Sequence, residues 1–560
     1  MTSQIKDELS LIKKHLLHSS YEDGLKLIEN TLKEKKLTKE EILTLNNHKC
    51  DILNHLGRGD EVSNIADKVL KESKSLTNIS IYVEALMQKA SSEFYLGNLR
   101  ESQSLCEEAL QLIEKRIDKN KTNYYTQKAY LYEIYSLVVW VIEGIEKGMK
   151  LRKDGMDIAE KSDDPRLTLR YKNSKVYYLF YQKKYEEALL LGKETIEESL
   201  ELGNRFILAN SYLFVSYIHI ELKEFEKSID NLLEAKKYAE ELNHEAMLTI
   251  IYNYLGKIYF DFMKLDEAIS YYKKITKMGL LKYEGFARLG ICYFWKNQID
   301  KSKEYFMKAM DLSLEIGEKQ VLPAIYSNLI ELYIEEGNLV QAKKILSDFR
   351  KFSEASDRQV VINYYHFSQG EFLKASSKMT DWIKSIKTFE KLLKENNLNN
   401  DLRLRSLYNI LSIQLRELQS TADVKKLENI NKQIAILQEE AELKKYFMLK
   451  VELYRLKSQL SLLEFDVKKA SNFLVTASTL AEEKGLVRLA KQIKADQDKL
   501  EKQTNMWIQY KETKTSTSEI LDQLSIEKTS NEIAKETLIE IHDEESDKVI
   551  EYRKLFALKI

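Results

Sequence analysis

Four of the eight histidines fall within the first fifty-five residues, with a cysteine among them, and these are the side chains whose types best suit chemistry. His15 and His18 stand about one turn apart on one expected helix, and His48, Cys50 and His55 occupy the helix expected beside it. Imidazole nitrogens and a thiolate are ligands that zinc accepts. The spacing argues against a centre, because His48 and Cys50 are two positions apart and face different sides of a helix. They read as ordinary polar surface residues, and no metal site is expected; His542, beside the acidic patch of the tail, is a weaker candidate still. The chain has no glycine-rich phosphate loop, no Gly-x-Ser-x-Gly elbow, no His-Glu-x-x-His and no Cys-x-x-Cys pair. Neither catalysis nor a cofactor is expected.

The elements that position these residues follow from composition. Of 560 residues, 31% are charged and 44% hydrophobic, with 17 Gly and only 2 Pro, which disfavours strand-and-turn architectures and favours long helices. The fold class read from this is all-α. Lys and Arg (87) nearly cancel Asp and Glu (88), so no global positive field attracts phosphate backbones, and nucleic acid is not the expected partner. There is no apolar run long enough for a spanning helix, and charges throughout the first thirty residues argue against a secretory signal. The expectation is a soluble, cytoplasmic protein with no membrane partner. Cys50, Cys106 and Cys292 are scattered and odd in number, which suits buried reduced thiols.

Two adjacent stretches superpose with an offset of thirty-four residues: Tyr252, Leu255, Gly256, Tyr259, Ala268 and Tyr272 become Phe286, Leu289, Gly290, Tyr293, Ser302 and Phe306. The order is aromatic, Leu-Gly, aromatic, then a small residue and an aromatic on a second helix. One such pair cannot bury its own apolar face, so repetition implies a stack. Upstream the spacing is forty, through Tyr185, Phe225 and Leu265, with Ala188, Ser228 and Ala268 as the small residues. Tyr326, Leu329, Tyr333, Gly337, Asn338 and Ala342 carry the pattern onward. The pattern resembles the tetratricopeptide repeat, without its closing proline, since only Pro165 and Pro323 occur. The resemblance implies a right-handed superhelical solenoid of about eleven to twelve antiparallel helix pairs. Degenerate repeats are expected over 1–160, the best-matching ones over 161–350, and further repeats with a capping helix over 351–510. A polar linker and helical tail follow over 511–560, with a capping-box spacing at Ser516 and Glu519. The tail ends in an acidic patch (Asp543, Glu544, Glu545, Asp547) and an apolar segment from Val549 to Ile560.

The resemblance also implies that positions two, five, nine and twelve of each first helix line a concave groove. These are Arg170, Asn173, Tyr177 and Phe180 in one unit, then Asn210, Leu213, Tyr217 and Ile220. The next two units supply Ile250, Asn253, Lys257 and Phe260, then Glu284, Ala287, Ile291 and Phe294. Asn can pair with a peptide's backbone N–H and C=O together, and the aromatics can cover apolar side chains. The Lys/Asn clamp with which some family members hold chaperone C-termini is absent in this register, because Arg288 and Ala324 stand where Asn and Lys are wanted. The reading is a non-enzymatic interaction scaffold that holds a protein or peptide segment in the groove. Two alternatives stand beside it: a peptide-gated regulator whose superhelix changes shape on binding, and a structural assembly subunit that self-associates through its tail.

Overall fold

Apolar side chains recurring at helical spacing fold the described residues into helix pairs, each buried against the next. The computed structural model describes residues 3–512, apart from 35, 120, 163, 280, 422–424, 444–445 and 464–465, together with 538–542 and 549–554. The chain divides into two compact units, Met1–Ile258 and Tyr259–Ile560.

The first unit comprises α1 (Ser3–Leu17), α2 (Tyr21–Glu34), α3 (Lys39–His55), α4 (Gly59–Ser73), α5 (Ile79–Tyr95) and α6 (Leu99–Arg116). It continues with α7 (Thr122–Glu143), α8 (Ile145–Ala159), α9 (Pro165–Tyr181), α10 (Tyr185–Glu201), α11 (Arg205–Glu221), α12 (Phe225–Glu241) and most of α13 (Glu245–Asp261). From α1 to α12 each odd helix packs on the even helix that follows it, and α3, α5, α7, α9 and α11 also lie side by side, which gives the unit an inner face. The second unit comprises α14 (Leu265–Ile275), α15 (Lys282–Trp295), α16 (Ile299–Glu315), α17 (Leu322–Glu335), α18 (Leu339–Glu354) and α19 (Gln359–Lys374). It continues with α20 (Met379–Leu392), α21 (Asn400–Thr421), α22 (Lys425–Leu443), α23 (Phe447–Leu463), α24 (Val467–Glu483) and α25 (Val487–Glu512). The architecture is all-α and built of helix pairs. In the tail, where helix is expected from the sequence, the described part is instead a short antiparallel pair, β1 (Leu538–His542) and β2 (Val549–Lys554). The Ser516–Glu519 capping box, the acidic patch and the last six residues lie outside the described residues.

The Leu-Gly signature has a steric cause. A Cβ on Gly290 would lie 2.7 Å from Cδ1 of Phe306, and one on Gly370 would lie 2.6 Å from the ring of Phe389. Glycine on one helix thus admits the aromatic ring of its partner helix, and Ser302 and Ser385 tie the same pairs by donating to the carbonyls of Gly290 and Gly370 at 2.7 Å. The turn between paired helices is equally regular. At Gly97 (φ +87°), its N–H reaches Phe94 O at 3.1 Å and that of Asn98 reaches Glu93 O at 2.8 Å, closing the helix in a left-handed cap. Lys183 (φ +59°) makes the same turn without glycine. Both prolines sit at helix starts, where their missing N–H leaves no bond unmade: Pro165 opens α9 behind the Asp164 cap, and Pro323 lies in the first turn of α17.

Within the first unit the chain returns on itself. The α1–α2 turn meets the α10–α11 turn, where Ser19 Oγ donates to Asn204 Oδ1 at 3.3 Å and accepts from the Phe206 N–H at 3.1 Å. Leu242 and Phe206 join the apolar core formed by α1–α4. Within the second unit, α25 touches α23 and also α15, and Leu486, Leu489 and Ile493 share a core with Met263 and Leu265.

Candidate functional site

On the inner face of the first unit, charged side chains from neighbouring helices pair with one another. Arg170 Nε donates to Glu133 Oε1 at 2.7 Å. Arg166 holds Asp164 at 2.9 Å and reaches Asp51 at 3.6 Å. Both guanidiniums lie over the Tyr130 ring. Burial opposes ionisation of Asp164, but the adjacent Arg166 outweighs it and holds the carboxyl below its ordinary value. Glu84 shows the other balance. The amides of Asn47 and Gln127 donate to it at 3.4 and 3.0 Å, yet burial raises its pKa.

Farther along the same face the lining turns aromatic. Tyr177 lies 4.9 Å from Phe214 and 5.8 Å from Trp140 between ring centroids, and its hydroxyl meets that of Tyr181 at 2.9 Å. Phe180 lies 6.3 Å from Tyr217, which in turn lies 4.5 Å from Tyr254. Tyr181 is 47% exposed and Tyr95 69%. The surrounding protein nevertheless raises the Tyr95 phenol pKa, with Arg170, Glu133 and Arg152 within electrostatic reach.

The expected groove residues fall in both units. Arg170, Tyr177, Phe180 and Tyr217 belong to the face just described. Asn173 is 8% exposed and accepts the Ser211 hydroxyl at 3.0 Å, and the Asn210 amide donates to the carbonyl of Phe206 on its own helix at 3.1 Å. The carbonyl oxygen of Asn173 and the side-chain N–H of Asn210 are thus engaged within the fold. On α13, Asn253 is half-buried and Lys257 exposed. Phe260 and Phe294 belong to the second unit. Phe260 packs against the core that contains Leu486, and Phe294 is 3% exposed with the Arg488 guanidinium 4.0 Å from its ring centroid. α25 thus covers the place where Phe294 was expected to line a groove.

Sequence reasoning passed over Trp140, Tyr95 and Tyr181. Trp140 lies forty residues before Phe180, so the repeat spacing already marked it. The histidines also differ from the surface residues expected. His55 stacks on Tyr21 at 5.0 Å, meets the edge of Phe206 at 5.0 Å, and lies 3.7 Å from Asp51. Burial, with Arg170, Arg166 and His244 nearby, holds its pKa well below the ordinary value, and burial brings that of His48 down to about 4. Depressed histidines bind fewer protons folded than unfolded, so their contribution is complete above the ordinary value of about 6.5 and is lost as pH falls below it. The first unit is expected to lose up to about 1.4 kcal/mol per pH unit for each such histidine in that window. Chemical denaturation at pH 7.5, 6 and 5 measures this, and His55→Gln should flatten the slope.

Among the described residues, no group of three or more His, Cys, Asp or Glu is placed to hold a metal ion, and no helix is long and apolar enough to cross a membrane. Cys50, Cys106 and Cys292 are free and buried, and burial raises the thiols of Cys50 and Cys292 to about 12.

No family model matches the chain, and no curated protein is similar to it in sequence. Solved structures do resemble it. The apo form of the quorum sensor NprR from B. thuringiensis is 11% identical with a TM-score of 0.47, over 65% of this chain and all (100%) of that one. The apo form of RapI is 12% identical with a TM-score of 0.36, over 72% of this chain and 98% of that one. A signal transduction ATPase with a tetratricopeptide repeat sensor from Pyrococcus horikoshii is 18% identical with a TM-score of 0.40, over 59% of this chain and 52% of that one, so the match spans about half its length. Likeness at these identities concerns the arrangement of helices alone. The chain is a helical-repeat protein similar to those built of tetratricopeptide-like helix pairs.

Proposed function

We propose that this chain is a non-enzymatic scaffold whose first unit binds a protein or peptide segment on its inner face. The observation that carries this reading is the aromatic surface left open at Tyr95 and Tyr181. Exposed rings held on rigid helices offer large apolar contact area at little conformational cost, which is what binding hot spots use. In the second unit the chain's own α25 covers the ring of Phe294.

Tyr95→Ala with Tyr181→Ala tests the reading without disturbing the core, since both rings are exposed. Wild type and variant are compared by affinity capture from native lysate after equal helicity is verified. A specific partner held by wild type is expected to be weakened at least tenfold, the scale of losing one hot-spot ring. Partners retained at full strength by the variant would sink the proposal. A second reading, the peptide-gated regulator, is favoured by the contact of Ser19 with Asn204 across 185 residues of chain. A ligand on the inner face would shift the balance between closed and opened forms of that contact. Its mark is a change in radius of gyration when the captured partner is added.

A further inference from the structure

The second unit shows how an inner face of this chain holds an arginine. Arg488 of α25 lays its guanidinium over Phe294 of α15, pairs with Glu335 of α17 through Nε at 3.0 Å, and lies 3.7 Å from Glu331. A single offset of 114 residues carries Phe180, Tyr217 and Glu221 onto Phe294, Glu331 and Glu335. The first three sit on the consecutive odd helices α9 and α11, as the last three sit on α15 and α17. The first unit therefore repeats the ring and the outer carboxylate, with Tyr217 in place of the inner carboxylate.

What differs is the occupant. Among the described residues, no Lys or Arg lies over the ring of Phe180 or Tyr217, and the exposed Glu221 has no ion-pair or hydrogen-bond partner. Elsewhere on the inner helices the chain supplies its own cation to such rings: Arg166 to Tyr130, Arg405 to Phe367 and Arg488 to Phe294. The negative π face of an aromatic ring beside a carboxylate attracts a guanidinium, which is planar, weakly hydrated and able to stack while it donates.

We infer that Phe180, Tyr217 and Glu221 form a subsite for an arginine side chain of the peptide segment that the inner face binds. The inference rests on the reading of that face as a peptide site. The arginine stacks on Phe180 beside Tyr217 and donates to Glu221, as Arg488 stacks on Phe294 and donates to Glu335.

The test selects binders from a randomised dodecapeptide display library against the full chain, then measures each binder's affinity for wild type, for Tyr95→Ala/Tyr181→Ala and for Glu221→Gln. Binders that depend on the two tyrosines are resynthesised with citrulline, the neutral isostere, in place of arginine. The expected result is arginine enrichment among them and a loss of about tenfold on citrulline exchange, the combined scale of a stacked cation and a partly exposed ion pair. Glu221→Gln should weaken the arginine peptide by about threefold or more and leave the citrulline peptide unchanged, a coupling that general loss of structure does not produce. Tyrosine-dependent binders that tolerate both changes overturn the arginine subsite while the peptide site stands. A library that yields no tyrosine-dependent binder overturns both.

Discussion

Replacing Arg488 by alanine is expected to destabilise the second unit by about 3–5 kcal/mol, the scale for breaking a buried ion pair from one side. Its side chain is 8% exposed, and its guanidinium lies between the rings of Phe294 and Trp295, 4.0 and 5.2 Å away, and the carboxylates of Glu335 and Glu331. Burial pulls the guanidinium pKa down by more than Glu331 restores. The harm lies in what alanine leaves behind: two half-buried carboxylates, of which only Glu331 keeps a cation, Arg405 at 2.7 Å. Burial pushes the Glu331 carboxyl up, but Arg405 and Arg488 together bring it below its ordinary value. Such a group adds stability above its unfolded pKa of about 4.3, and that contribution is lost as pH falls through the lower folded value. In Arg488→Ala the folded value rises toward the unfolded one, so the stability this group loses between pH 7 and pH 4 should be smaller than in wild type. Urea denaturation at pH 7 and pH 4, with limited proteolysis across 487–500, reads both effects. A loss under about 1 kcal/mol would mean that Leu486, Leu489 and Ile493 dock α25 unaided.

Phe306→Ala is expected to cost about 3–5 kcal/mol, the scale for emptying a fully buried aromatic site. Phe306 is 1% exposed and fills the space that Gly290 leaves open on the facing helix. The converse change, Gly290→Ala, puts a methyl against the ring at 2.7–2.9 Å and is expected to cost about 1–3 kcal/mol. The two positions share one volume, so Gly290→Ala with Phe306→Leu should cost less than the sum of the single changes. Additivity within about 0.3 kcal/mol would show that the glycine serves its helix and not the ring.

That glycine-to-ring contact explains why the repeat was legible. Gly290 and Phe306 lie sixteen residues apart, and a short-range packing rule writes itself into spacing. Trp140 carried the forty-residue spacing before Phe180 and was passed over because its unit, Tyr124 to Ile158, reads as degenerate. Contacts that close a unit leave no such period. Nothing local to Phe294 announces Arg488, and nothing local to His55 announces Phe206, whose edge encloses it from 151 positions away. Nor does any spacing announce that the Ser211 hydroxyl on the neighbouring helix donates to the carbonyl oxygen of Asn173. In the tail, Ile539 to His542 alternates apolar and polar residues at the period of a strand, a signal outweighed by a capping-box spacing upstream.

The Ser19–Asn204 contact changes the statistical character of the first unit. A linear array of repeats behaves as a one-dimensional chain of nearest neighbours, and its terminal members fray first because each has a single interface. Joining the α1–α2 turn to the α10–α11 turn gives the initial pair a second interface, together with the burial of Phe206 and Leu242. The fraying end is thereby removed, and opening anywhere in the loop forfeits the closure as well as the local contact. The array then melts as one cooperative block, and it forms late, since its closing contact must first gather 185 residues of chain.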